Sequence, residues 1–145
     1  MDRSSQLTND AIILLAADSS QGFLNKGITL ENIIWTIDAV DRNVLTYEEF
    51  DDSVKRLLSI EFIKLKAEKI YITEYYRKQK KDYCKKVSGL TNQLQELKKL
   101  LSQTIDYNKN TESDNSIDKA INLNSYETAV TSYRAKVDEY ISKLK

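Results

Sequence analysis

Histidine and proline are absent from these 145 residues, glycine occurs only three times and cysteine once. Without imidazole there is no general base of the Ser-His or Cys-His kind and no histidine ligand for zinc. The single Cys84 excludes an internal disulfide and any thiolate metal site. Gly22, Gly27 and Gly89 are too scattered to build a phosphate-cradling loop. No apolar run approaches the roughly 18 residues that a membrane span requires; the longest is Ala11 to Ala17. The opening residues lack the basic and apolar regions of a signal peptide, and no Asn-x-Ser/Thr acceptor occurs, so a cytoplasmic protein with no membrane partner is expected. No catalytic residue, metal site or cofactor is indicated, and the expectation is a non-enzymatic protein.

With so few breakers, long helices should dominate. The chain is organised around Thr46 to Thr73. Thr46 and Glu49 have the spacing of a capping box, and Leu45 and Phe50 that of a hydrophobic staple. Val54, Leu57 and Leu58 continue the apolar face of an amphipathic helix. After Ile60 the period falls to two. Ile63, Leu65, Ile70 and Ile72 alternate with Lys64, Lys66, Lys69 and Tyr71, which predicts a β-hairpin with one apolar and one basic face. Ala67-Glu68 is a poor tight turn for it.

Upstream, Thr8 or Asn9 is placed to cap a first helix that ends near Asp18 to Gly22. Gly27-Ile28 can supply a short strand, and Thr29 can cap a second helix carrying Leu30, Ile33, Ile34 and Ile37. Trp35 lies off that stripe and is expected to pack against the C-terminal helices. Asp41-Arg42-Asn43 makes the turn into the next helix. Downstream, Tyr83, Val87, Leu90, Leu94, Leu97 and Leu101 step alternately by four and three, a coiled-coil seam. A helix over 74–105 would be about 48 Å long at ~1.5 Å per residue, with the heptad phase unbroken across Gly89. A polar loop follows, with a short helical piece from Ser116. Asn124 and Glu127 repeat the capping spacing ahead of a last stripe that includes Tyr133, Val137 and Tyr140. The expected architecture is mainly α: a winged helix-turn-helix domain over 1–73 with a two-stranded wing, then a helical arm over 74–145. That arm comprises the long helix 74–105, a loop 106–123 and a C-terminal helix 124–144.

Arg56-Leu57-Leu58, Phe62-Ile63 and Tyr71-Ile72-Thr73-Glu74 resemble the end of winged-helix transcription regulators of the PadR and MarR type. The resemblance covers about Asn9 to Arg77. It implies that the helix after Thr46 is a recognition helix and that the protein pairs through its C-terminal helices. Glu61 departs from the pattern, since such regulators usually carry glycine there. The segments Trp35-x-x-Asp38-Ala39-x-x-Arg42 and Leu45-Thr46-x-Glu48-Glu49 also resemble small uncharacterised bacterial winged-helix-like proteins, a likeness that implies no function.

The net charge of zero hides a segregation. Residues 1–63 hold five bases and eleven acids, a balance of −6, whereas residues 64–105 hold eleven bases and four acids, a balance of +7. Two functional expectations follow. In the first, a homodimeric DNA-binding regulator grips phosphates with Lys55, Arg56, Lys64, Lys66, Lys69, Arg77, Lys78 and Lys81 and pairs through Tyr83, Val87, Leu90, Leu94, Leu97, Leu101, Tyr133, Val137 and Tyr140. The alternative is an adaptor, or an immunity- or antitoxin-like module, presenting Glu48, Glu49, Asp51 and Asp52 to a basic protein partner. The same acids also favour a helix N-terminus for purely structural reasons. Lys80, Lys81, Lys85 and Lys86 around Cys84 would favour a thiolate, unless Cys84 is only a small residue beside the seam.

Overall fold

The structure is a computed structural model and describes residues 3–20, 27–107 and 120–144. Its elements run α1 (Arg3–Ser20), β1 (Ile28–Thr29), α2 (Leu30–Asp41), α3 (Tyr47–Ser59), β2 (Ile63–Lys66), β3 (Lys69–Ile72), α4 (Glu74–Tyr83), α5 (Leu90–Thr104) and α6 (Leu123–Leu144). The protein is mainly helical, with one small antiparallel sheet in the order β1-β3-β2.

Helix α1 begins before Thr8. No proline or glycine stops it there, and the Thr8 hydroxyl donates back to the Ser4 carbonyl at 2.9 Å instead of capping. The expected stop at Gly22 lies outside the described residues. Ala11 to Ala17 are all buried, because α1 runs through the centre with α2, α3, α5 and the sheet around it. Helix α2 is capped by Thr29, whose hydroxyl accepts from the Asn32 amide, and closes on Arg42 in the left-handed region. Trp35, expected to pack on the C-terminal helices, is 59% exposed, while α2 meets α6 through Glu31 with Lys136 and Asp38 with the Tyr133 hydroxyl.

Both bonds of the Thr46–Glu49 capping box form, and Leu45 and Phe50 are buried beside it. The chain turns out of α3 at Glu61 with φ +61°, which explains why glycine suits this position: a Cβ in the left-handed region is strained. The two-residue hairpin loop places Ala67 and Glu68 at φ +51° and +62°, the pairing geometry of a type I′ turn built without its usual Asn-Gly. Opposed residues share a face, so Lys64 with Tyr71 and Lys66 with Lys69 line the outer side, and Ile63, Leu65, Ile70 and Ile72 the inner. Thr73 then caps α4, accepting from the Tyr76 amide and donating to the Glu61 carbonyl.

The continuous helix over 74–105 is not formed. Helix α4 stops at Tyr83, Cys84 is extended, and α5 starts after Gly89 at φ +89°. The heptad spacing conceals two physical reasons. Clustered lysines on consecutive turns disfavour continuation, and the break lets α5 turn its stripe of Leu97, Leu100 and Leu101 into the core against α1. Helix α6 is capped by Asn122, whose Oδ1 accepts from the Ser125 amide, rather than by Asn124. It lies along α2 and buries Tyr126 and Tyr133. Of the expected helical piece from Ser116, residues 116–119 lie outside the described residues. The residues expected as an arm thus contribute to the same apolar cluster as α1 to α3.

One buried charge ties these layers. Asp10 on α1 is fully buried and accepts both guanidinium bonds of Arg56 (2.8 and 2.9 Å), the Tyr107 hydroxyl (2.6 Å) and the Ser53 hydroxyl. Burial pushes the Asp10 carboxyl up, and Arg56, Ser53 and Tyr107 oppose that push. Asp10→Asn removes the countercharge of a largely buried guanidinium and is expected to cost about 3–5 kcal/mol, read as a fall in the urea midpoint at unchanged slope. Glu61→Gly relieves a left-handed Cβ and is expected to raise stability by about 1 kcal/mol in the same assay.

Candidate nucleic-acid interface

Helix α3, expected to read a groove, has its polar groups turned inward. Asp51 is fully buried, and its Oδ1 accepts the Ile121 amide at 2.8 Å. Lys55 pairs with Asp51 Oδ2 at 3.5 Å with its Nζ covered from solvent. Arg56 is held by Asp10, and Glu49 closes the capping box. Of the four acids, only Glu48 is exposed; Asp52 is half-buried. A groove-reading helix needs several free side chains along one face, and here the segment at residues 120–122 and α6 occupy that space through Asp51–Ile121 and Tyr47–Ile121.

The hairpin offers the opposite picture. Lys64 and Lys66 are exposed and Lys69 half-exposed, all on the outer face, and no carboxylate pairs with them among the described residues. Tyr71 stands in the same row and was not among the expected site residues, although the period-two alternation already puts it on the basic face. Its ring covers Gly27 so closely that a Cβ there would lie 2.6 Å from Tyr71 Cζ. The glycine therefore lets an aromatic ring lie flat among three lysines.

On α4, Lys78 and Lys81 are exposed, while Arg77 is half-buried and bonded to Glu74. Between α1, α4 and α5 opens a cleft of about 640 Å3. Lys80 crosses it to Asp18, which also accepts the Tyr76 hydroxyl at 2.9 Å. Burial and the Asp18 carboxylate hold that phenol well above its ordinary value. Cys84 sits at the cleft with its thiol 3.6 Å from the Glu96 carbonyl. Burial pushes the thiol up and the Glu96 carboxylate adds to this, outweighing Lys80, so the thiolate reading is not supported and the reading of a small residue is the one left. Of the lysines that flank it in sequence, Lys80 is paired with Asp18, and Glu96 is held below the usual carboxylate value by the Lys85 backbone amide and by Lys99.

The expected pairing seam divides. Leu97, Leu101 and Tyr133 are buried in this chain's own core, with Leu94 and Val137 packed against it. Tyr83, Leu90 and Tyr140 are 66%, 51% and 65% exposed, and Val87 lies at the margin of exposure. Tyr83 and Val87 lie before α5 begins, so the break takes those two out of the stripe that Leu94, Leu97 and Leu101 continue. Among the described residues, no cluster of potential metal ligands occurs and no helix is long and apolar enough to cross a membrane.

No family model matches the chain, and no curated protein or solved structure matches it either.

Two outcomes follow from this arrangement. Asp51→Ala strands the Ile121 amide and should cost about 1–3 kcal/mol, whereas Glu48→Lys should stay within about 0.5 kcal/mol, both measured by urea unfolding. Because burial and the Glu96 carboxylate hold the Cys84 thiol above its ordinary value, iodoacetamide should alkylate it more slowly than free cysteine at pH 7. The rate should climb with pH and keep climbing past pH 9, as the thiolate fraction grows.

Proposed function

We propose that the chain is a non-enzymatic winged-helix protein that binds duplex DNA through phosphate contacts from its hairpin and α4, without inserting α3 into a groove. The observation that carries this reading is the division of charge by exposure: Glu49, Asp51 and Arg56 of α3 are engaged internally, while Lys64, Lys66, Lys69, Lys78 and Lys81 stand on the outer surface without an ion pair among the described residues. The order helix, strand, helix, helix, hairpin fits a winged helix in which the hairpin is the wing, and the three-stranded sheet supports that assignment. Backbone contacts position a protein but carry little sequence information, so the binding is of low sequence specificity. Tyr71 adds a planar surface among the lysines, suited to stacking on a sugar or an exposed base.

Pairing of two copies falls to the free apolar end of α6, where Tyr140, Ile141 and Leu144 are exposed. The adaptor reading loses half of its four acids, because Asp51 and Glu49 serve the fold.

Duplex affinity measured across a salt series tests the reading. Wild type should show a linear fall of log affinity with log salt, and Lys64→Glu/Lys66→Glu/Lys69→Glu should flatten that slope by about one unit per lost contact. The triple variant should unfold at nearly the wild-type urea concentration, since the changed side chains are on the outer face. Absence of salt-dependent duplex binding at low salt would overturn the proposal.

A further inference from the structure

Helices α5 and α6 dock on the first half of the chain. Helix α5 packs on α1 and touches α4 far less, and α6 packs on α2 and α3. The polar contacts follow the same division: Tyr126 donates to the Leu45 carbonyl, Tyr133 to Asp38 and the Ile121 amide to Asp51, and Lys136 pairs with Glu31. Residues 84–89 join this block to the rest, and they are exposed apart from half-buried Cys84. The Lys85 amide donates to Glu96 across the bend. At its far end α5 has no side-chain cap and no acid in its first turn, and Gly89 holds φ +89° with open space where a Cβ would stand. Tyr83, Val87 and Leu90 around this segment are exposed, yet they keep the four-three step that Leu94, Leu97 and Leu101 continue.

We infer that residues 84–89 are a hinge whose partner is a second copy of this chain: α4 and α5 join into one helix across it, and two copies exchange α5 and α6. The bend belongs to the single chain, and the joined helix to the pair. Exchange costs little packing, because each α5 and α6 meets on the other copy the surface it leaves on its own. Joining supplies the Leu90, Thr91 and Asn92 amides with the Lys86, Val87 and Ser88 carbonyls, and moves the Lys85 amide from Glu96 to the Lys81 carbonyl. It places a glycine inside a helix, which opposes it. The two joined helices cross antiparallel at the dimer axis, with Val87 against Val87 and Tyr83 against Leu90 of the second copy, so the exposed trio is covered in the pair alone. Lys81 and Lys85, four apart, also oppose the joined helix, and salt relieves that repulsion. The inference does not rest on DNA binding. It differs from pairing through the end of α6, which leaves α5 and α6 on their own chain.

Sedimentation equilibrium of the full chain over a concentration series, with no nucleic acid, measures the association. Gly89→Ala favours the helical backbone about fivefold at each of two hinges and strains the bend, so the association constant should rise about twentyfold or more. Leu90→Asp puts an acid at the start of α5, which suits the single chain, and a charge in the seam, which does not suit the pair. Its association should fall about tenfold or more, while the urea midpoint of the dilute chain is not lowered. Exchange itself is read by joining α2 to α6 with a short bis-maleimide in Glu31→Cys/Lys136→Cys/Cys84→Ser, with glycine and with alanine at position 89, so that a poorly folded alanine variant does not shield the inference. Isolated dimers should then run at twice the chain mass under denaturing conditions, and monomers at the chain mass. Dimers that fall apart into single chains are paired without exchange and overturn the inference. So do the absence of dimers with both residues at position 89, unchanged association in Leu90→Asp, and association that weakens as salt rises.

Discussion

A carboxylate with no access to water sits in the middle of the first helix, and the arrangement of the other layers follows from satisfying it. Asp10 needs donors from several directions, and they come from α3 through Ser53 and Arg56 and from beyond α5 through Tyr107. An ion pair of this kind is weak as a source of net stability but strict about geometry, since loss of either partner strands the other. Its strictness fixes α3 flat against α1 and takes Arg56 out of any role at the surface. The same logic recurs along the chain. Tyr76 donates to Asp18, Tyr133 to Asp38 and Tyr126 to the Leu45 carbonyl, so phenols from later helices satisfy acceptors in the first half of the chain. In a protein without histidine, tyrosine is the residue that carries an apolar ring into the core and ends in a polar atom.

This pattern recasts the charge segregation. The acidic balance of residues 1–63 is only partly a surface property, because Asp10, Asp18, Asp38, Glu49 and Asp51 all accept internal bonds. The basic balance of residues 64–105 is largely external, with most of its lysines unpaired or in half-exposed pairs. The surface is therefore more cationic around the hairpin and α4 than the net charge of zero suggests.

Local signals were legible in the sequence, and distant ones were not. The capping box at Thr46, the cap at Thr29 and the inside-outside alternation of the hairpin each depend on residues within a few positions of one another. The strain at Glu61 was visible as a departure from glycine. What spacing could not reveal was competition between burial options. Leu97 fits a heptad seam and also fits a groove beside α1, and only the three-dimensional packing decides for the second. Asp51 reads as one of four exposed acids until the Ile121 amide, 70 residues away, is brought to it. The basic face was legible residue by residue, whereas the cleft between α1, α4 and α5 needed the break at Gly89 to exist at all.

The long reach of these contacts also sets an order of events during synthesis. Asp10 and Arg56 can meet once α3 has emerged, but Tyr107 lies 97 residues from Asp10, and Tyr133 lies 95 from Asp38. Until those tyrosines arrive, the central helix and α2 keep acceptors and apolar surface open to water. Loop closure over such distances is slow compared with helix formation, so the half-made chain spends its growth time with a partly satisfied interior. The first half of this protein is therefore the part most dependent on shelter while the ribosome is still adding the last.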